Sequence, residues 1–341
     1  MAVTSAPDAP AEAATRQIFM SQALHEALDE EMARDPNVFV MGEEVGIWGG
    51  AYNVTAGLLE KWGEARIIDT PISEAAIGGA AVGAAVTGCR PVAEFMYSDF
   101  MGIAMDQIVN QAAKNRYMFG GAAKLPITYR APFGAGTGNA AQHTQSLEAW
   151  FAHVPGLKVV TCSSPHDAKG LLKSSIREDN VVIFFEHKAI YSMRGPVPED
   201  EYTIPLGMAD VKREGSDVSV VTYARQVHYA LEAAEQLAGE GIDVEVVDVR
   251  TLYPLDVDTI LASVHKTNHA VVVYEAARFG GFGAEIASQI QEHGFDDLDA
   301  PVLRVAGSHS PIPFSEPLEK GAIPDPERIA AAVRESLQGS R

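Results

Sequence analysis

Residues Asp69–Phe100 read DTPISEAAIGGAAVGAAVTGCRPVAEFMYSDF. The segment SEAAIGGAAVGAAVTG has helical character and is made almost wholly of Ala, Gly and Val. One carboxylate, Glu74, stands at its start, with Ser73 as candidate N-cap. Each glycine inside a helix costs about 1 kcal/mol relative to alanine, so such a helix needs close packing to offset it. Gly79 and Gly83, with Ala75, Ala76, Ala80 and Ala84 around them, give a stripe where another backbone can approach. Burial of a core helix accounts for the small residues but not for Glu74. An acid in a first helical turn commonly serves only as a partner of the helix dipole.

Outward from this stretch, apolar runs of strand length alternate with helical segments. Upstream, RQIFMSQALHEALDEEMAR reads as an amphipathic helix leading into the strand NVFVMG, followed by the helix VTAGLLEKWG and the strand RIID. Downstream, RPVAEFM, LPITYRA, LKVVTCS and VVIFFE read as strands, and DFMGIAMDQIVNQAAKNRYMF as a helix. Strands apolar along their whole length, alternating with helices, indicate parallel sheets covered on both faces. The alternation breaks at YSMRGPVPEDEYTIPLG, rich in Pro, Gly and charge, and resumes with DVSVVTYA, DVEVVDV and HAVVVYEA. The chain therefore reads as α/β, with two doubly wound parallel-sheet domains. A disordered tail is expected over 1–15, a first domain over 16–194, a linker over 195–210 and a second domain over 211–341.

Composition limits the function. The 341 residues include 46 Asp and Glu against 26 Lys and Arg, a net charge of -20, which repels nucleic acid and anionic membranes alike. Cys89 and Cys162 have no paired spacing, so neither a disulfide framework nor a metal motif is expected. The tail MAVTSAPDAPAEAAT lacks Arg and an apolar core, and no apolar run reaches the ~18 residues of a membrane span. A cytoplasmic protein is expected.

Two further segments carry candidate chemistry. Gly134–Ser146 reads GAGTGNAAQHTQS, a glycine-rich loop after a strand, with one histidine, His143. Such loops at the carboxyl ends of parallel strands are where α/β sites form, although a lone histidine is often structural. In YSDF, Phe100 follows another strand and is placed to present its ring to the same crevice. RFGGFGAE reads as a tight strand-to-helix turn, and no G-x-S-x-G, H-E-x-x-H or P-loop occurs.

Together DTPISE, GCRPVAEFMYSDF, MDQIVNQAAK, RYMFGG, AQHTQS and PGLKVV resemble the β subunit of the thiamine-diphosphate-dependent component of 2-oxo acid dehydrogenase complexes. The resemblance runs over roughly residues 16 to 338. It implies a thiamine-pyrimidine-binding-type domain followed by a transketolase C-terminal-type domain. It also implies that Glu74 is the carboxyl group that hydrogen-bonds the cofactor's pyrimidine ring and favours its imino tautomer. On the same basis Phe100 packs on the pyrimidine face with Met96 beside it, and Glu43 is the acid of a polar channel leading from the cofactor. His143 is implied in acid–base steps of acyl transfer to lipoamide. A potassium site is implied at Ile127, Ser175, Glu178 and Asn180, where SSIREDNV departs from the family's usual loop at Glu178 and Val181.

The GDG motif with which thiamine enzymes hold the diphosphate through Mg2+ is absent from the chain. In the family this half of the site belongs to an α subunit, so the resemblance implies an α2β2 heterotetramer and a dihydrolipoyl acyltransferase partner. Pyruvate is the first expectation for substrate, from GEEVG, GAY and RIIDTPISE. Acetoin follows closely, because WGG, RPVAE, DFMG and RYMFGG are also features of acetoin dehydrogenase β subunits, and branched-chain oxo acids come third. A single-chain synthase would carry its own diphosphate motif. A non-catalytic scaffold gives no reason to combine Glu74, Phe100 and His143.

Overall fold

The computed structural model describes residues 15–339. Apart from Thr15, the expected tail lies outside the described residues. In chain order the first half comprises β1 (Thr15–Phe19), α1 (Met20–Arg34), β2 (Val38–Gly42), α2 (Leu58–Trp62), β3 (Ile67–Asp69), α3 (Glu74–Val86) and β4 (Arg90–Glu94). It continues with α4 (Ala113–Met118), β5 (Thr128–Phe133), α5 (Glu148–Ala152), β6 (Leu157–Thr161), α6 (Pro165–Arg177), β7 (Val181–His187) and β8 (Arg194–Pro198). The second half holds β9 (Asp210–Arg213), β10 (Val218–Thr222), α7 (Gln226–Ala238), β11 (Val244–Asp248), β12 (Thr251–Tyr253) and α8 (Val257–Thr267). Then come β13 (Ala270–Ala277), α9 (Gly283–His293), β14 (Leu303–Gly307), α10 (Glu316–Ala322) and α11 (Pro326–Gln338).

Two sheets dominate, with strand orders β12-β6-β7-β5-β4-β2-β3 and β14-β13-β10-β11-β9. Every pairing is parallel except at one edge of each, where β12 and β9 run antiparallel to their neighbours. Strand β12 belongs by sequence to the second half yet completes the first sheet, so the two halves share structure. One apolar core also crosses the junction, joining Phe133, Phe151 and Phe185 to Val221, Tyr223 and Tyr274. Each large side chain buried in this way contributes roughly 1.5–3 kcal/mol.

Three local expectations change. The helix expected from Arg16 begins at Met20, because Thr15–Phe19 pair antiparallel with Arg194–Pro198 as a two-stranded ribbon. That pairing also makes the start of the 195–210 stretch strand rather than irregular linker. Pro196 and Pro198 are tolerated there because a two-stranded ribbon leaves one edge of each strand free. The helix expected after Phe100 is three windings in succession: 3₁₀ over Ser98–Ala104, π over Asp106–Ala112, then α4.

Helix α3 starts at Glu74, but Ser73 makes no side-chain cap bond. It ends in a Schellman motif: Gly88 adopts φ 103°, Gly88 N–H donates to the Ala85 carbonyl and Cys89 N–H to that of Ala84. Its close contact lies at Gly78, where an added Cβ would stand 3.2 Å from Gln107 Cβ and 3.3 Å from Ala104 Cβ. Of the expected stripe, Gly79 shares this approach, its added Cβ standing 3.1 Å from Gln107 Oε1, whereas Ala75, Ala76, Ala80 and Gly83 are exposed and a Cβ at Gly83 would meet nothing within 4 Å.

Candidate active site

The carboxyl ends of β3, β2, β4, β5 and β7, which are neighbours in the first sheet, bring the candidate residues together. Glu43 follows β2 directly, Glu74 opens α3 after β3, Met96 and Phe100 follow β4, and His143 lies on the loop after β5. Backbones meet tightly here: a Cβ at Gly42 would come within 2.7 Å of the Glu94 carbonyl oxygen.

Glu43 and Glu74 are both buried, and Glu43 Oε1 has no hydrogen-bond partner. Burial first, and then the charge of Glu74, push the Glu43 carboxyl above the ordinary range. The residues after β4 and on the His143 loop form an aromatic cluster. Phe100 meets the His143 ring edge-on at 5.1 Å between centroids, and Tyr97 meets Phe100 at 5.9 Å and His143 at 4.9 Å, both edge-on. Phe100 and His143 therefore share one crevice, as their positions in the sequence implied. Met96 is half-buried beside them in the chain.

Several residues that the sequence reading passed over complete the arrangement. Lys188, one residue beyond β7, donates to the His143 carbonyl and lies 5.2 Å from the centre of the Tyr97 ring. Burial brings its ammonium down to about 8. Asp99 Oδ1 accepts from the Gln145 N–H at 3.1 Å and from its side-chain amide at 2.9 Å. Asp99 Oδ2 is buried without a partner, and burial raises this carboxyl. Thr70 Oγ1, just past β3, is likewise unpartnered. The available signal was positional: charged residues stand immediately after the apolar strands of RPVAEFMYSD and VVIFFEHK.

Beneath the crevice, Arg130 ties β4 to β7. Its guanidinium donates to Glu186 Oε1 at 2.7 Å and Oε2 at 2.8 Å, and to Glu94 Oε2 at 2.6 Å, all buried. Tyr191 O–H donates to the same Glu186 at 2.7 Å. A buried charge cluster satisfied this fully holds adjacent strand ends in one geometry. Behind the His143 loop a cleft of about 590 Å³ opens between the halves, lined by Gln142, Trp150, Phe279, His309 and Ile312 among others.

The four positions implied for potassium lie apart from this crevice, at the start of β7 and beside it. Ile127 C=O accepts from Val182 N–H at 2.9 Å, and Ser175 C=O from Glu178 N–H at 3.3 Å. Glu178 C=O accepts from Arg90 at 3.1 Å and Asn180 Oδ1 from Arg116 at 2.7 Å. A guanidinium thus already donates to one of these backbone carbonyls, that of Glu178, while at Asn180 Arg116 meets only the side chain. Among the described residues no group of three or more His, Cys, Asp or Glu is placed to hold a metal ion. No described helix is long and apolar enough to cross a membrane.

The transketolase pyrimidine-binding domain matches residues 16–193, and the transketolase C-terminal domain matches 207–329. The acetoin:2,6-dichlorophenolindophenol oxidoreductase subunit beta of Cupriavidus necator is 49% identical over 336 residues, 96% of this chain and 99% of that protein. The pyruvate dehydrogenase E1 component subunit beta of Rickettsia felis is 51% identical over 318 residues, 93% of this chain and 98% of that one. The 2-oxoisovalerate dehydrogenase subunit beta of Bacillus subtilis is 48% identical over 315 residues, 92% and 96% respectively. Among solved structures, a split-gene transketolase described as an inactive beta4 tetramer superposes with TM-score 0.78 at 24% identity. That match covers 95% of this chain and 99% of that one, a likeness of fold.

Proposed function

Because this chain belongs to the transketolase-type β subunits of the 2-oxo acid dehydrogenases, we propose that it forms the pyrimidine half of a thiamine-diphosphate site and that its assembly acts on pyruvate. When bound, thiamine diphosphate supplies the carbon nucleophile and the electron sink that oxo-acid decarboxylation requires. The observation that carries the cofactor half of this proposal is the buried carboxyl pair Glu43 and Glu74 with its unpartnered Glu43 oxygen. A buried polar atom without a partner is costly, and a nitrogen heterocycle bearing an N–H donor would relieve that cost at Glu43.

The residues divide the work. Glu74, buried at the start of α3, would hold a ring nitrogen of the cofactor through its carboxyl group. Phe100 and Met96 would give that ring an apolar face. Glu43, its carboxyl raised by burial and by the charge of Glu74, would move a proton along the channel. His143, fixed between Tyr97 and Phe100, gives a proton to the lipoyl sulfur as the acyl group is transferred. The diphosphate and its Mg2+ fall to an α partner in an α2β2 assembly, since the chain has no GDG motif. The exposed Ala75, Ala76, Ala80 and Gly83 face of α3, flanked by exposed Ile72, Val86 and Ile103, suits such a partner. A dihydrolipoyl acyltransferase then receives the acyl group.

Acetoin is the second reading, favoured by the relative from Cupriavidus necator, which covers nearly the whole chain. The purified αβ assembly, assayed with an artificial electron acceptor on pyruvate, acetoin and 2-oxoisovalerate, separates them. We expect kcat/KM for pyruvate to exceed the others by at least about tenfold, the discrimination a few carbon atoms can give. Preference for acetoin reverses the substrate assignment, and turnover on none of them removes the enzymatic one.

A further inference from the structure

The loop that carries His143 opens with Gly134, Gly136 and Gly138, at φ 86°, 99° and 69°. Glycines in left-handed backbone turn nearby N–H groups toward one side and create an anion-binding hollow. In a thiamine enzyme such a loop invites assignment to the diphosphate. Here the hollow already holds an anion, and it comes from the second domain.

Gly136 N–H donates to Glu319 Oε1 at 2.7 Å, and Gly138 N–H to Glu319 Oε2 at 3.2 Å. Glu319, on α10, is buried and makes no ion pair among the described residues, so these N–H groups are what satisfy its carboxylate. One residue earlier, Ala135 N–H donates to Glu275 Oε1 at 2.5 Å, and Arg225 donates to the Ala135 carbonyl at 3.3 Å. Glu275 Oε2 also lies 3.0 Å from His187 Nε2, at the end of β7. The positive φ at Gly134 and Gly136 favours glycine at these turns, and a Cβ at Gly134 would also collide with the His187 ring. Three side chains of the second domain thus grip the first turn of the loop. Lys188 and Asp99 of the first domain hold its far part, at His143 and Gln145.

We propose that Glu319 is a positioning residue, whose carboxylate fills the N–H hollow at Gly136 and Gly138 and holds the loop so that His143 faces the crevice. This rests on the role given to His143 above. It also makes the second domain part of the catalytic apparatus rather than an appended dimerisation or docking module.

The test uses the full αβ assembly carrying Glu319→Ala or Glu319→Gln. In Glu319→Ala, amide hydrogen exchange across 134–147 should rise by about tenfold or more, the scale of a lost charged hydrogen bond. Lipoyl-dependent turnover should fall by a similar factor, with KM for the oxo acid unchanged. Added formate, a carboxylate small enough for the vacated space, should restore both readouts in this variant and do nothing to the wild type. Glu319→Gln keeps the side-chain volume and an accepting oxygen, and should fall between, which covers failure of the alanine variant to assemble. Wild-type exchange in 134–147, or raised exchange with unchanged turnover, overturns the proposal. If formate reverses raised exchange in an assembly whose wild type shows no lipoyl-dependent turnover, Glu319 still positions the loop and the role of His143 falls.

Discussion

A carboxyl oxygen sealed from water without a donor, as Glu43 Oε1 is, costs roughly 1–3 kcal/mol. Folded chains rarely keep such a cost without a use for it. Glu74, the buried partner of Glu43, gives the sharpest test at this scale. Glu74→Gln preserves volume and hydrogen bonding but cannot carry a proton on oxygen. We expect the αβ assembly to form normally, as sedimentation would show, while kcat falls by about 10² to 10⁴, the usual range for a general acid–base group. A variant turning over at the wild-type rate contradicts the role given to Glu74. The meeting of Phe100 with His143 was legible in the sequence because each follows a strand of the parallel sheet. Lys188 and Asp99 were not, because their importance is a matter of what they touch. The bond from Lys188 to the His143 carbonyl joins residues of different loops, and nothing in FFEHK announces it.

Helix α3 shows how far an element can be read from its residues and where reading stops. Its existence, its start at Glu74 and its lack of bulk followed from the Ala and Gly pattern. Which glycines touch a neighbour followed only in part, at Gly79 but not Gly83, because rotation about the helix axis is set by packing. Gly78 faces Gln107 and Ala104, whereas Gly83 faces open space. The ribbon of β1 and β8 stayed hidden for a similar reason: TRQIF continues the helical pattern of α1, and only its partner far along the chain makes it a strand. The exposed Gly83 yields a prediction with two opposite signs. Gly83→Ala should stabilise the separate β chain by up to about 1 kcal/mol, since helix propensity improves and nothing is struck. The same added methyl should weaken the αβ assembly if the small-residue face is where the α partner lies. Urea unfolding of the separate chain and sedimentation of the assembly report the two effects. Stabilisation with undiminished assembly would place the partner elsewhere.

At the scale of the whole molecule, the sequence led to two α/β domains split near residue 200, and these domains share a strand, a core and several buried ionisable groups. Glu148 on α5 illustrates the last. Its Oε1 accepts from the Tyr223 O–H at 2.7 Å, across the junction, while its Oε2 is buried without a partner. Burial outweighs the Tyr223 bond and pushes this carboxyl up to about 7 from an unperturbed 4.5. Folding therefore takes up a proton between those two values, and stability falls as pH rises from about 4.5 to 7, then levels off. Glu275 acts in the opposite sense. Burial disfavours its charge, but His187, the Ala135 N–H and Arg225 outweigh that and hold it at about 2. Its contribution is complete above about 4.5 and is lost only as pH falls below that, so it does not blur the window of Glu148. Glu148→Gln removes the titration while keeping an oxygen for Tyr223. Between pH 5 and pH 8 the wild type should lose stability that the variant does not, by up to an order of 3 kcal/mol for a shift of this size. Urea midpoints for the two proteins at both pH values measure the difference. The slope is the test, because the amide changes absolute stability in its own right. Parallel slopes for the two proteins would mean that Glu148 is ionised at the junction, with a cation or water on its free oxygen.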